Sequence, residues 1–164
     1  MSENLDAIPQ DLLDSYLEEI GENVRETGSI DPKDLSSDDA ELLYSIGHSL
    51  YGAGDYERAE PLFRKLVVAR PMEFRNWYGF AAILQMKKLY EDAATAWSMS
   101  CMFAGDDPTP YIHLAECLLS LQKFPEAESA IEEAALRSNE NEKARKQIAS
   151  LKVALSSNKT GKEA

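Results

Sequence analysis

The chain repeats itself every 34 residues. Leu43, Trp77 and Tyr111 keep this step, as do Ile46, Phe80 and Leu114, and then Leu50, Leu84 and Leu118. Small residues keep it too: Gly47, Ala81 and Ala115, and later Ala59, Ala93 and Ala127. With units numbered from Ala40, Phe74 and Pro108 (residues 40–73, 74–107 and 108–141), large side chains occupy positions 4, 7 and 11 and small ones positions 8 and 20. Phe63, Trp97 and Ile131 supply a further apolar residue at position 24. Residues three and four apart share one side of a helix, so each unit reads as two helices with facing apolar stripes. Positions 8 and 20 are where the two helices approach closely, and a larger side chain there would push them apart. Pro71, Gly105 and Asn139, all at position 32, end the units.

Large-xx-large-small-xx-large on a first helix, followed by small-xxx-large on a second, resembles the tetratricopeptide signature, in which every unit is a helical hairpin. The expected fold is all-α: three tetratricopeptide hairpins in a right-handed superhelix, with an N-terminal amphipathic helix and a C-terminal capping helix. Single hairpins cannot bury their apolar faces, and three is about the smallest stable stack, so the ends need covering. Two segments suit that role. From Pro9 to about Thr27, Leu12, Leu13, Tyr16, Leu17, Ile20 and Val24 recur at helical spacing. From Glu142 to Leu155, Ala144, Ile148, Leu151 and Leu155 form one stripe. Between the leading helix and the first repeat, Gly28 to Asp39 reads as a linker. The expected organisation is an acidic helix and linker over 1–39, a repeat domain with its capping helix over 40–155, and a polar disordered tail over 156–164.

The formal net charge of −12 is concentrated at the front of the chain. Residues 1–41 hold 13 Asp or Glu against 2 Lys or Arg, whereas residues 42–164 hold 16 against 15. Neither half clusters the basic residues that phosphate binding needs, so no nucleic-acid partner is expected, and no anionic membrane surface. No stretch approaches the roughly 20 apolar residues of a membrane span. The acidic start lacks the apolar core of a signal peptide, which leaves the cytoplasm as the expected compartment. Cys101 and Cys117 form no CxxC pair and read as reduced packing residues.

Catalysis needs convergent nucleophile, base and stabilising groups. The sequence offers only His48 and His113, neither with metal-ligand spacing around it, and no phosphate-loop or dinucleotide fingerprint. No catalytic residue, metal or cofactor is expected. His113 falls at position 6, toward the edge of any groove.

In the tetratricopeptide family the first helices line a concave groove, with positions 2, 5, 9, 12 and 13 pointing inward. Carried over, these include Tyr44, His48 and Tyr51, then Tyr78, Ala82 and Gln85, then Ile112, Glu116 and Leu119. The family's carboxylate clamp is not matched, since its places read Tyr44, His48, Gly79, Thr109 and His113. An aromatic, apolar groove instead suits an extended peptide with aliphatic anchors and prolines.

Leu43-Tyr44-Ser45-Ile46-Gly47, the turn Gly54-Asp55-Tyr56-Glu57-Arg58-Ala59, and above all His113-Leu114-Ala115-Glu116-Cys117-Leu118-Leu119 with Glu126-Ala127-Glu128-Ser129 resemble the class II chaperones of type III secretion translocators. The resemblance covers roughly residues 10–155. It implies a non-enzymatic, cytoplasmic bacterial chaperone whose partners are hydrophobic translocator proteins, bound through an extended N-terminal segment. It places Ala69 and Trp97, from second helices, beside the residues above in the groove. At His48 it departs from the aromatic, usually Phe, of relatives. It also implies a weak homodimer through Leu12, Leu13, Tyr16, Leu17, Ile20 and Val24. The alternative is a general assembly scaffold with no client to protect.

Overall fold

The computed structural model describes residues 35–139 and 141–160. The leading amphipathic segment, with the dimer residues Leu12, Leu13, Tyr16, Leu17, Ile20 and Val24, lies outside them. Seven helices make up the described residues: α1 (Ser37–Gly52), α2 (Tyr56–Ala69), α3 (Phe74–Met86), α4 (Tyr90–Phe103), α5 (Thr109–Ser120), α6 (Phe124–Arg137) and α7 (Glu142–Thr160). They divide between two compact units, one ending at Pro71 and the other beginning at Met72.

The first unit is the hairpin of α1 and α2. Helix α1 begins three residues inside the segment read as linker, because Ser36 caps it. The Ser36 Oγ accepts from the Asp39 amide at 3.1 Å and donates to the Asp39 carboxylate at 2.7 Å. Asp38 and Asp39 thus sit in the first turn, where carboxylates favour the helix N-terminus. Leu43, Ile46 and Leu50 of α1 are buried against Ala59, Leu62, Phe63 and Leu66 of α2. A Cβ on Gly47 would lie 2.8 Å from Phe63 Cε2, so the aromatic ring at position 24 dictates glycine at position 8. Arg70 ties the hairpin's end to its start, donating to the Leu35 carbonyl at 2.8 Å.

The second unit holds the other two hairpins, α3–α4 and α5–α6, with α7 against α6 and α5. Ala81, Ala93, Ala115 and Ala127 are all 0% exposed, which is the close approach that the small positions foretell. In all three repeats the turn residue at position 15 is left-handed, with φ of 78° at Gly54, 61° at Lys88 and 58° at Gln122. The bonding around it also repeats. Asp55, Leu89 and Lys123 donate back to Leu50, Leu84 and Leu118, closing the carbonyls that each first helix leaves open.

Ala144, Ile148 and Leu155 bury one stripe of α7. The helix continues to Thr160, five residues beyond the end expected from that stripe. Its last turns carry their own polar support: Ser156 and Ser157 donate to the Val153 carbonyl and Asn158 to the Ala154 carbonyl.

Candidate functional site

In the first unit, α1 carries Tyr44, His48 and Tyr51 at steps of four and three, which puts them on one face. The Tyr44 ring meets the edge of buried Phe63 at 5.6 Å and 72°, and stacks on His48 at 6.0 Å and 24°. His48 is exposed, while Tyr44 and Tyr51 are half-buried. Tyr51 lies 5.6 Å from Tyr56 of α2, and burial, then its neighbour Tyr56, raises its hydroxyl above the usual tyrosine range. Ala69 is partly buried at the end of α2.

In the second unit the corresponding face is organised around one indole. Trp97 of α4 is 1% exposed. Tyr78 of α3 stands edge-on to it at 5.0 Å and 88°, and His113 of α5 stacks on it at 4.9 Å and 23°. The Trp97 Nε1–H donates to Gln85 Oε1 at 2.7 Å, Gln85 Nε2 donates to Glu116 Oε2 at 2.8 Å, and His113 Nδ1 lies 2.8 Å from that same Oε2. Tryptophan, glutamine, glutamate and histidine therefore close a ring of contacts across three helices. Burial alone would raise the Glu116 carboxyl, but the hydrogen bond and charge of His113 and the Gln85 amide outweigh it and hold the group below the usual carboxylate range.

Of the expected contact residues, the second unit brings Tyr78, Gln85, Trp97 and Glu116 together. Ala82 and Leu119 are half-buried. Ile112 differs from expectation: it is 1% exposed and part of the core, because position 5 of α5 turns into the packing rather than outward. Trp97 is likewise the floor under Tyr78 and His113, so a ligand reaches it only through them. Sequence reasoning left His113 at the groove's edge and missed its part in the ring. The signal was available in its spacing, because His113 and Glu116, three apart on a helix, are surface neighbours.

Among the described residues no group of three His, Cys, Asp or Glu is placed to hold a metal ion. Burial pushes the thiols of Cys101 and Cys117 up to about 12, so both are protonated and unreactive near neutral pH. No helix among the described residues is long and apolar enough to cross a membrane.

The repeat hairpins and their small close-contact positions form a tetratricopeptide-type fold. Residues 44–97 match the tetratricopeptide repeat family. Within that class, the chain is similar to class II translocator chaperones of type III secretion. It is 34% identical over 98 residues to the low calcium response locus protein H of Yersinia pestis, an alignment covering 60% of this chain. The chain spans 58% of the length of that curated relative. Its fold matches the Yersinia enterocolitica type III secretion chaperone SycD in complex with a peptide of the translocator YopD, at 29% identity and a TM-score of 0.68, over 79% of this chain and 98% of that one. It also matches Pseudomonas aeruginosa PcrH with the chaperone binding region of PopD, at 28% identity and a TM-score of 0.67, over 79% and 98%.

Proposed function

We propose that this protein is a non-enzymatic bacterial chaperone of the cytoplasm that holds hydrophobic type III secretion translocators soluble until export. The observation that carries this is the aromatic first-helix face present in each unit, Tyr44 with His48 and Tyr51 in one and Tyr78 above the Trp97 floor in the other. Flat rings with polar edges suit an extended client segment, whose aliphatic side chains lie on the rings while its backbone meets the hydroxyls. The likeness to SycD and PcrH, solved with translocator segments, supports the same use. A peptide interface on the order of 1,000 Å² gives moderate affinity, which release for export requires. Ala69, Ala82 and Leu119 are proposed as lesser contacts, with Trp97 acting from beneath.

Co-expression with the translocators encoded by the same bacterium tests the proposal. Wild type is expected to co-purify with a client, and Tyr44→Glu and Tyr78→Glu to lose most of it while keeping a helical circular dichroism spectrum. Undiminished recovery in both folded variants would overturn the assignment of the face. The dimer through Leu12, Leu13, Tyr16, Leu17, Ile20 and Val24 is a separate proposal, supported by the apolar stripe and by the solution of SycD in an alternative dimer. Light scattering that finds the full chain monomeric at micromolar concentration would remove it.

A further inference from the structure

Resting on the peptide-binding function above, we infer that Glu116 is a specificity-determining residue: its Oε1 takes a hydrogen bond from an N–H of the bound peptide. The ring of contacts forces this assignment. An indole N–H can only donate, so the Gln85 atom facing Trp97 must be the amide oxygen, and its NH₂ must then face Glu116. A carboxylate can only accept, so the His113 nitrogen facing Oε2 carries a proton. Glu116 Oε2 thus satisfies two donors, while Oε1 has no partner among the described residues.

The side chains of Glu116 and His113 keep 35% and 27% of their surface open. A ligand lying across Tyr78 and His113 therefore meets the open acceptor of Glu116. Glu116 cannot swing aside without stranding Gln85 and His113, so the acceptor is held in place before the ligand arrives, which reduces the ordering cost of binding. The complementary chemistry is a donor: a main-chain amide N–H, or the side chain of Lys or Arg. Proline at this register has no N–H and is disfavoured there.

The test uses the full chain and the YopD peptide of the solved SycD complex, with affinity read by calorimetry. In Glu116→Gln the new amide oxygen can take the two internal donors, turning its NH₂ toward the ligand, so an acceptor becomes a donor with the fold intact. The expected result is about 10-fold weaker binding, about 1.4 kcal/mol, with the variant still fully folded at the assay temperature. N-methylation of the peptide, one residue at a time, reads the main-chain source. Replacement of each Lys or Arg by norleucine reads the side-chain source. One such change is expected to cost wild type about 10-fold and Glu116→Gln nothing further. If Glu116→Gln does not fold, Glu116→Asp, which withdraws the oxygen by one methylene, takes its place in the cycle.

Wild type and the folded variant binding alike, or every peptide change costing both equally, would overturn the inference and leave the groove standing. Failure of wild type to bind the peptide would overturn the groove, and this inference with it.

Discussion

The first and second hairpins both set a position-5 tyrosine edge-on to a position-24 aromatic ring, yet they secure that pair by different means. In the first, Tyr44 rests on Phe63 at 5.6 Å, and Phe63 occupies the space where a Cβ of residue 47 would stand. In the second, Tyr78 rests on Trp97 at 5.0 Å, the small position is Ala81, and the indole is tethered through Gln85 to Glu116 and His113 of the next hairpin. Close backbone packing holds one aromatic face, and a polar ring spanning three helices holds the other. Identical positions in a repeat can therefore offer similar surfaces with different tolerance to change.

The largest test removes the two anchors. Phe63→Ala and Trp97→Ala each delete a side chain that is 1% exposed, and losses of about 3–5 kcal/mol are expected by urea denaturation. The comparison gains its force from His113. Trp97→Ala also removes the ring on which His113 stacks and the donor to Gln85, so the His113 resonances should shift strongly in that variant. Equal shifts in both variants would break the distinction.

Next in size is the close contact. Gly47→Ala gains about 1 kcal/mol of helix propensity but forces the Phe63 ring to move, at about 1–3 kcal/mol, so net destabilisation is expected. Adding Phe63→Leu should relieve the clash. Ala81→Gly in the second hairpin should cost only the propensity difference of about 1 kcal/mol, with no rescue from a change at position 24. Thermal melts of these variants decide it, and a Gly47→Ala chain as stable as wild type would show that the ring has room to yield.

The sequence made the hairpins legible because the 34-residue period reports burial directly: Ala59, Ala93 and Ala127 had to be small and are 0% exposed. Tyr78, Gln85, Trp97 and Glu116, named together from family positions, are in contact with one another, because those positions transfer where helices stack regularly. Ile112 was assigned outward by the same rule and is buried, since position labels ignore the rotation of an individual helix. The spacing of His113 and Glu116 offered their pairing, but the stacking of His113 on Trp97 joins separate helices, which no spacing encodes. The start of α1 at Ser37 was hidden by Pro32, Ser36 and Ser37, which read as linker although Ser36 is a cap. The cap and Asp39 three residues on were the available signal.

A smaller effect separates the turns. Gly54 takes the left-handed conformation without strain, whereas Lys88 and Gln122 hold the same φ with a side chain attached. A left-handed residue other than glycine costs about 1–2 kcal/mol, partly offset by the greater entropy glycine loses on folding. Lys88→Gly and Gln122→Gly are each expected to raise stability by about 0.5–1 kcal/mol, and Gly54→Ala to lower it by about 1 kcal/mol. Stabilisation by Gly54→Ala would show that the turns of the two units are not equivalent.

The smallest expected effect distinguishes the faces by pH. Glu116 titrates below its ordinary value of 4.5 because the bonds from His113 and Gln85 to the charged form outweigh its burial. The folded chain thus binds that proton less tightly than the unfolded chain, so the stabilisation is complete above about 4.5 and is lost as pH falls through the folded value. Since the group is about one-third open to solvent, the amount is roughly a few tenths of a kcal/mol. The stability difference between wild type and Glu116→Gln should shrink on acidification toward pH 3. The difference between wild type and Tyr44→Phe should stay flat over the same range, because the Tyr44–Phe63 contact is an aromatic edge-to-ring pair whose packing carries no proton. If the two differences fall in parallel, hydrogen bonds to an ionised carboxylate are not what separates the second unit's face from the first.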